Sequence, residues 1–452
     1  MMSNIENQNW NIVELHQAYT NKIVSPVEMI ELFYERIDQQ NKQLNAYITV
    51  CYEQAMMEAI RLEKQIMNGC QIGLLSGIPI SVKDLIFTKN IKTTMGSGVF
   101  KDFVPSFDAE VIKTLKQHGV IIMGKTNMHE LAYGTTSDDS YFGPCKNPYD
   151  LTKISGGSSG GSAVAVSSGL CVGALGTDTS GSIRIPASCC GVVGMKPTYG
   201  RINVDGIYPL SWSMDHVGPM TRNVTDNAII YSVLVGDPTF SQVEKLDLKD
   251  VVLGLPTAYF FDDLEGDVRE SITKAIQLME SLGVAIESVH TPEMKKVMEI
   301  SSAIDRSEAY FINQEVALDE HNSLGNETRS RILKGADIRA YEFLYAQKVK
   351  EELSLSFNKI FETVPFIVTP TIPILPTNIG EAFVTIDQRK VEVRSELMKF
   401  TFLANYLGNP AITFPCGFSK TGLPVGIQIM GQKNDEAGLY KVAYMLEQEL
   451  DL

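Results

Sequence analysis

No apolar stretch in this chain reaches the roughly 20 residues that a bilayer-spanning helix needs. Met1 to Trp10 is polar and lacks the basic and apolar regions of a secretory leader, so the chain reads as soluble and cytoplasmic. Cysteine is sparse: seven residues, at 51, 70, 145, 171, 189, 190 and 416, odd in number and without a CxxC pair. That pattern argues against a disulfide framework and reads as small buried hydrophobes in a reducing compartment. The six histidines show no HxxxH spacing, so no metal site is expected. The lysine of a GxxxxGK[ST] loop is missing, and so is a GxGxxG. Positive charge is also short, with 39 Lys and Arg against 54 Asp and Glu, a formal charge of −15. So acidic a surface disfavours direct binding to phosphate backbones, and a nucleic-acid role would need a partner's basic surface.

What is present is a globular composition, 44% apolar and 21% charged, patterned as alternating helices and strands. Ser25-Pro26-Val27-Glu28 combines an N-cap, a proline at the first helical position and a capping-box glutamate. The first seventy residues read as helical, with a second helix over Tyr52 to Met67. From Gly73 the character changes, and Ile78, Ile80 and Val82 alternate with Pro79, Ser81 and Lys83 as a strand ending at Lys83. A helix over Asp108 to His118 and a strand over Val120 to Met123 follow. Val251 to Val289 reads as strand, helix, strand, and residues 291–355 as a charged, mostly helical cap or lid. Val364 to Val368 is a strand, and Ala411 to Phe414 with Val425 to Met430 forms a hairpin. Without repeats or a flexible linker, this favours one large α/β unit with a central mixed sheet and helices on both faces. Its expected parts are a helical region (1–70), a signature core (71–235), a variable pocket-lining region (240–360) and a return to the core (361–452).

The chemistry concentrates in two glycine- and serine-rich loops, Gly156 to Ser162 and Gly176 to Arg184. Their glycines let backbone N–H groups turn toward one point, and the small-residue run Ser162 to Ser168 suits a helix packed closely on a sheet. Two readings compete, a phosphate-binding loop and a serine nucleophile beside an oxyanion hole. A serine needs a base to attack an amide, yet no histidine lies near either loop. A lysine kept neutral by burial can serve, and Lys83 closes an otherwise apolar strand. Asp178 and Arg184 flank the second loop and read as braces for it. His129 and His216 have polar roles at loop ends.

These residues resemble the amidase signature family. The run from Gly156 to Arg201 carries the resemblance, including Gly-Gly-Ser-Ser-Gly-Gly-Ser-Ala and Gly-Met-Lys-Pro-Thr-Tyr-Gly-Arg at 194–201. Gly77 to Asp84, Gly124 to Glu130 and Ser213 to Pro219 match as well, and the likeness is weakest across 240–360. The resemblance implies that Lys83 is the ultimate base and Ser158, on a cis peptide bond, the proton relay. It makes Ser182 the nucleophile, with an oxyanion hole from the N–H groups of Thr179, Ser180, Gly181 and Ser182. Ser180 stands where the family commonly has glycine. The resemblance also puts Ala132, Tyr133 and Gly134 on the acyl pocket and requires no cofactor. The implied activity is hydrolysis of a small-molecule amide, with a homodimer as the common assembly.

One alternative is the glutaminase component of a tRNA-dependent amidotransferase, working with partner subunits. There an arginine and an aspartate grip glutamine, and the aligned positions here hold Lys350 and Met398. Another is a catalytically inactive binding protein that keeps the fold.

Overall fold

The computed structural model describes residues 9–243, 248–386 and 388–450, so the polar residues 1–8 lie outside it. Ser25 caps the helix Pro26–Leu44 as expected: its hydroxyl accepts from the Glu28 N–H at 3.1 Å, and the Glu28 carboxylate takes the Ser25 N–H at 2.8 Å. The helix Tyr52–Met67 also falls where its pattern puts it. The reading of the first seventy residues as wholly helical is corrected by β1 (Tyr47–Val50), which pairs antiparallel with β3 (Ile121–Thr126). Tyr-Ile-Thr-Val is a run of strong strand formers, and it fills the edge of the sheet.

The remaining strands follow in order: β2 (Pro79–Lys83), β4 (Gly173–Asp178), β5 (Val193–Lys196), β6 (His216–Thr221), β7 (Val252–Pro256), β8 (Ala285–Val289) and β9 (Phe366–Pro370). A separate hairpin, β10 (Phe383–Ile386) and β11 (Arg389–Glu392), precedes β12 (Ala411–Phe418) and β13 (Pro424–Gly431). Eleven of them form one mixed sheet in the order β1-β3-β2-β4-β6-β5-β12-β13-β9-β7-β8. β2 runs parallel to both β3 and β4, β7 parallel to β8 and β9, and the other pairs are antiparallel. Every residue of β2, β3, β4, β5, β6, β9 and β13 is buried. Alternate side chains point to opposite faces, so this burial means helices cover the sheet on both sides.

Two features position the site. β2 and β4 are parallel neighbours, so Lys83 and Asp178 end their strands at the same edge, where α/β proteins place their chemistry. The helix Gly160–Ser167 then packs against the sheet with no room for side chains at its start: a Cβ on Gly161 would collide with the backbone of Asn127 and Ala46.

The region read as a cap forms the helices Met294–Leu318, Asn326–Leu333 and Ala340–Phe361, packed on one another. Buried carboxylates tie it to the core. Glu308 accepts from the Ser211 hydroxyl at 2.6 Å, and Glu130 takes the Gly325 N–H at 2.9 Å and the Ser97 hydroxyl at 2.6 Å.

Candidate active site

Lys83 ends β2 wholly buried, and its ammonium nitrogen lies 2.8 Å from Ser158 Oγ and 2.8 Å from Thr177 Oγ1. Burial pushes its pKa down to about 7, although the charges of Asp178 and Asp215 pull the other way. Ser158 follows a cis peptide bond from Gly157. The two loops are stitched through backbone and hydroxyl contacts. The Ser159 N–H donates to the Ser182 carbonyl at 3.1 Å, and the Ser159 hydroxyl donates to the Thr177 carbonyl at 3.1 Å. Lys83, Ser158 and the backbone of Ser182 are thereby held in one cluster.

Asp178 organises the second loop. Its carboxylate accepts the Gly181 N–H at 2.7 Å, the Ile183 N–H at 3.1 Å and two bonds of 3.0 Å from the Arg184 guanidinium. Burial would raise this carboxyl, but Arg184, helped by Lys196 and His216, holds it well below the usual carboxylate range. Arg184 continues outward to Gln428 at 2.5 Å and Asn405 at 2.6 Å. Both residues are braces, as their positions suggested.

One expectation for the oxyanion donors is corrected. The Gly181 N–H is already donated to Asp178, and Gly181 does not line the cavity, whereas Thr179, Ser180 and Ser182 do. No hydrogen bond from the Thr179, Ser180 or Ser182 N–H occurs among the described residues. Gly181 has φ of +130°, and a Cβ there would collide with Thr401, whose hydroxyl donates to the Ser180 carbonyl at 2.6 Å. Thr179 is fixed from the other side by its 2.6 Å bond to Asp215.

Ser182 borders a narrow pocket of about 20 Å³ whose walls include Ala132, Tyr133 and Gly134, the three residues the resemblance put there. Leu131 and Ala132 both have positive φ, at 51° and 58°, an uncommon conformation for residues with side chains. His129 lies buried beneath this turn, where a Cβ on Gly134 would strike its ring. The pocket shares Tyr133, Ser180, Asp305, Arg394 and Met398 with a wider cleft of about 930 Å³. Of the two positions aligned with glutamine-gripping residues, Met398 lines both spaces. Lys350 lines neither: it points to the Ser213 carbonyl at 3.4 Å and lies over the Tyr406 ring.

Sequence reasoning missed Thr177, Asp305 and Arg394. The signal for Thr177 was its place one residue before Asp178 on the strand beside β2. No group of His, Cys, Asp and Glu side chains that could hold a metal occurs among the described residues. Nor is any described helix long and apolar enough to cross a membrane.

A buried amine bonded to one serine, with a second serine facing a cleft beside unengaged N–H groups, is the apparatus of an amide-hydrolysing enzyme. A family model described as "Amidase" matches residues 28–440, and the chain belongs to the amidase signature family. It is 36% identical to the A-type subunit of glutamyl-tRNA(Gln) amidotransferase from Alkaliphilus metalliredigens (strain QYMF), over 98% of this chain and 96% of that protein. Its fold matches a solved amidase with a TM-score of 0.91 at 30% identity, covering 97% of this chain and 99% of the other. It matches the solved A-type subunit of the Thermotoga maritima glutamyl-tRNA(Gln) amidotransferase with a TM-score of 0.77 at 32% identity, over 94% and 91% of the two chains.

Proposed function

We propose that this chain is a stand-alone amidase that cleaves a small carboxamide through a seryl acyl-enzyme, with Ser182 as nucleophile, Ser158 as proton relay and Lys83 as base. The observation that carries the proposal is the buried Lys83 amine, 2.8 Å from Ser158 Oγ and with its pKa pushed down to about 7. Neutral Lys83 takes the Ser158 proton as Ser158 takes that of Ser182, and Ser182 Oγ bonds to the carbonyl carbon. The N–H groups of Thr179, Ser180 and Ser182 supply hydrogen bonds to the oxyanion, each worth about 3 kcal/mol in comparable sites. The relay returns the proton to the leaving nitrogen, the C–N bond breaks, and water releases the acid by the same route.

Three observations support a stand-alone enzyme. Met398 cannot hold an ammonium by charge, Lys350 points away from the pocket, and the TM-score is higher against the solved amidase. The second reading is the glutaminase component of an aminoacyl-tRNA amidotransferase, favoured by the names of the 36%-identical relatives.

The test is ammonia release from simple amides and from glutamine, by wild type and Ser182→Ala side by side. Release from simple amides that vanishes in the variant supports the proposal. Release from glutamine alone moves the function to the amidotransferase. Equal release by both proteins removes Ser182 from the mechanism.

A further inference from the structure

Among the described residues, seven cations line the cleft: three are engaged by other side chains or backbone, and Lys295, Arg306 and Lys334 are exposed to solvent. Arg331 pairs with Glu327 and donates to the Tyr133 carbonyl at 2.8 Å, Arg389 pairs with Asp263, and Lys399 pairs with Asp263 at 3.3 Å and Glu396 at 3.5 Å. Arg394 differs. It lines both the narrow pocket of Ser182 and the wider cleft, yet its guanidinium makes no hydrogen bond and no ion pair among the described residues. Its Nε is fully shielded from solvent without a partner, and the group is held only by the face of Tyr133, 5.2 Å from the ring centroid.

Arg394 is half-buried, and a shielded Nε without an acceptor is costly, because that donor has given up water and received nothing. Such a group persists where an anion completes it. The helix Val393–Met398 aims it: Arg394 and Met398 are one turn apart, and both line the pocket. The nearby Arg331 adds positive charge, and the carboxyl of Asp305 on the same wall feels the charge of Arg394 without coming within ion-pair distance of it.

Building on the amidase reading, we propose that Arg394 anchors a carboxylate on the acyl part of the substrate, so that the preferred substrates are ω-monoamides of short dicarboxylic acids. The planar fork of arginine matches the two oxygens of a carboxylate. With ammonia as the leaving group, only the acyl part can extend from Ser182 to Arg394. Ser182 and Arg394 line the same narrow pocket, so a short acyl chain is the part that spans them.

The test compares glutaramate with valeramide, which replaces the carboxylate by a methyl group, in wild type, Arg394→Met and Arg394→Lys. Wild-type kcat/KM should favour glutaramate by about 100-fold. Arg394→Met should bring that ratio to about one, with the loss falling mainly in KM, and Arg394→Lys should restore part of the ratio. A wild-type ratio of one or less overturns the anchor and leaves the amidase reading intact. A preference that survives Arg394→Met also overturns it, since activity lost equally on both substrates marks a merely structural arginine. If wild type cleaves neither amide, calorimetry with glutarate on Ser182→Ala decides. Binding that disappears on adding Arg394→Met upholds the carboxylate site while the amidase reading fails, and no binding at all overturns the anchor.

Discussion

Lys83 gives the amidase reading its pH dependence, and the sign follows from which form reacts. Burial lowers its pKa from the ordinary 10.5 to about 7, against the pull of Asp178 and Asp215. Only the neutral amine can take a proton, so kcat/KM should rise with pH, with an apparent pKa near 7, and level off above it. A pH–rate profile that is flat or falls across this range would remove Lys83 as the base. Lys83→Arg should be silent at every pH, because a guanidinium has no accessible neutral form. The same shift bears on stability. Between about 7 and 10.5 the unfolded lysine keeps a proton that the folded one has lost, so this residue's contribution to stability rises with pH over that window. Gly181 makes a second residue-scale prediction. Its φ of +130° and its closeness to Thr401 leave no place for a Cβ. Gly181→Ala should cost about 2–4 kcal/mol in denaturant unfolding and abolish turnover.

The element that matters most is the loop from Asp178 to Arg184, built around one buried ion pair. Both side chains are fully buried, 3.0 Å apart, so removing one partner strands a charge away from water. Arg184→Met should destabilise the fold by about 3–5 kcal/mol, and adding Asp178→Asn should recover part of that loss while activity stays absent. A double variant no more stable than the single one would show that the pair itself contributes little. This loop was legible in the sequence because glycines, an aspartate and an arginine within nine residues have few other uses. The capping box at Ser25 and the strand ending at Lys83 were legible for a similar reason, since local spacing alone specified them. The hairpin of β10 and β11 was not. Each strand is only four residues long, the uncharged β10 without alternation and β11 charged and exposed, and β11 leads directly into a six-residue helix too short to show a period. Arg394 carried no signal in the sequence, and only its stacking on Tyr133, far earlier in the chain, gives it a place in the pocket.

At the scale of the whole molecule, the charge of −15 sets what the chain can touch. In gel-shift experiments at about 0.1 M salt the isolated chain should leave tRNA unretarded, because its surface repels the phosphate backbone. A clear retardation would favour the amidotransferase reading and expose a basic face that the net charge conceals. The molecule also divides its labour along the chain. Lys83, Ser158 and Ser182 sit on segments between β2 and β6, locked by main-chain bonds such as that from Ser159 to Ser182. Asp305, Arg394 and Met398 reach the same pocket from the cap and the C-terminal return. On the proposed reading, much of acyl recognition therefore mutates separately from bond breaking, Ala132 to Gly134 excepted. Random mutagenesis confined to the stretches around 305 and 394–398 should yield descendants that accept new acids while the bond-breaking apparatus stays intact, so a lineage can change its diet without relearning its chemistry.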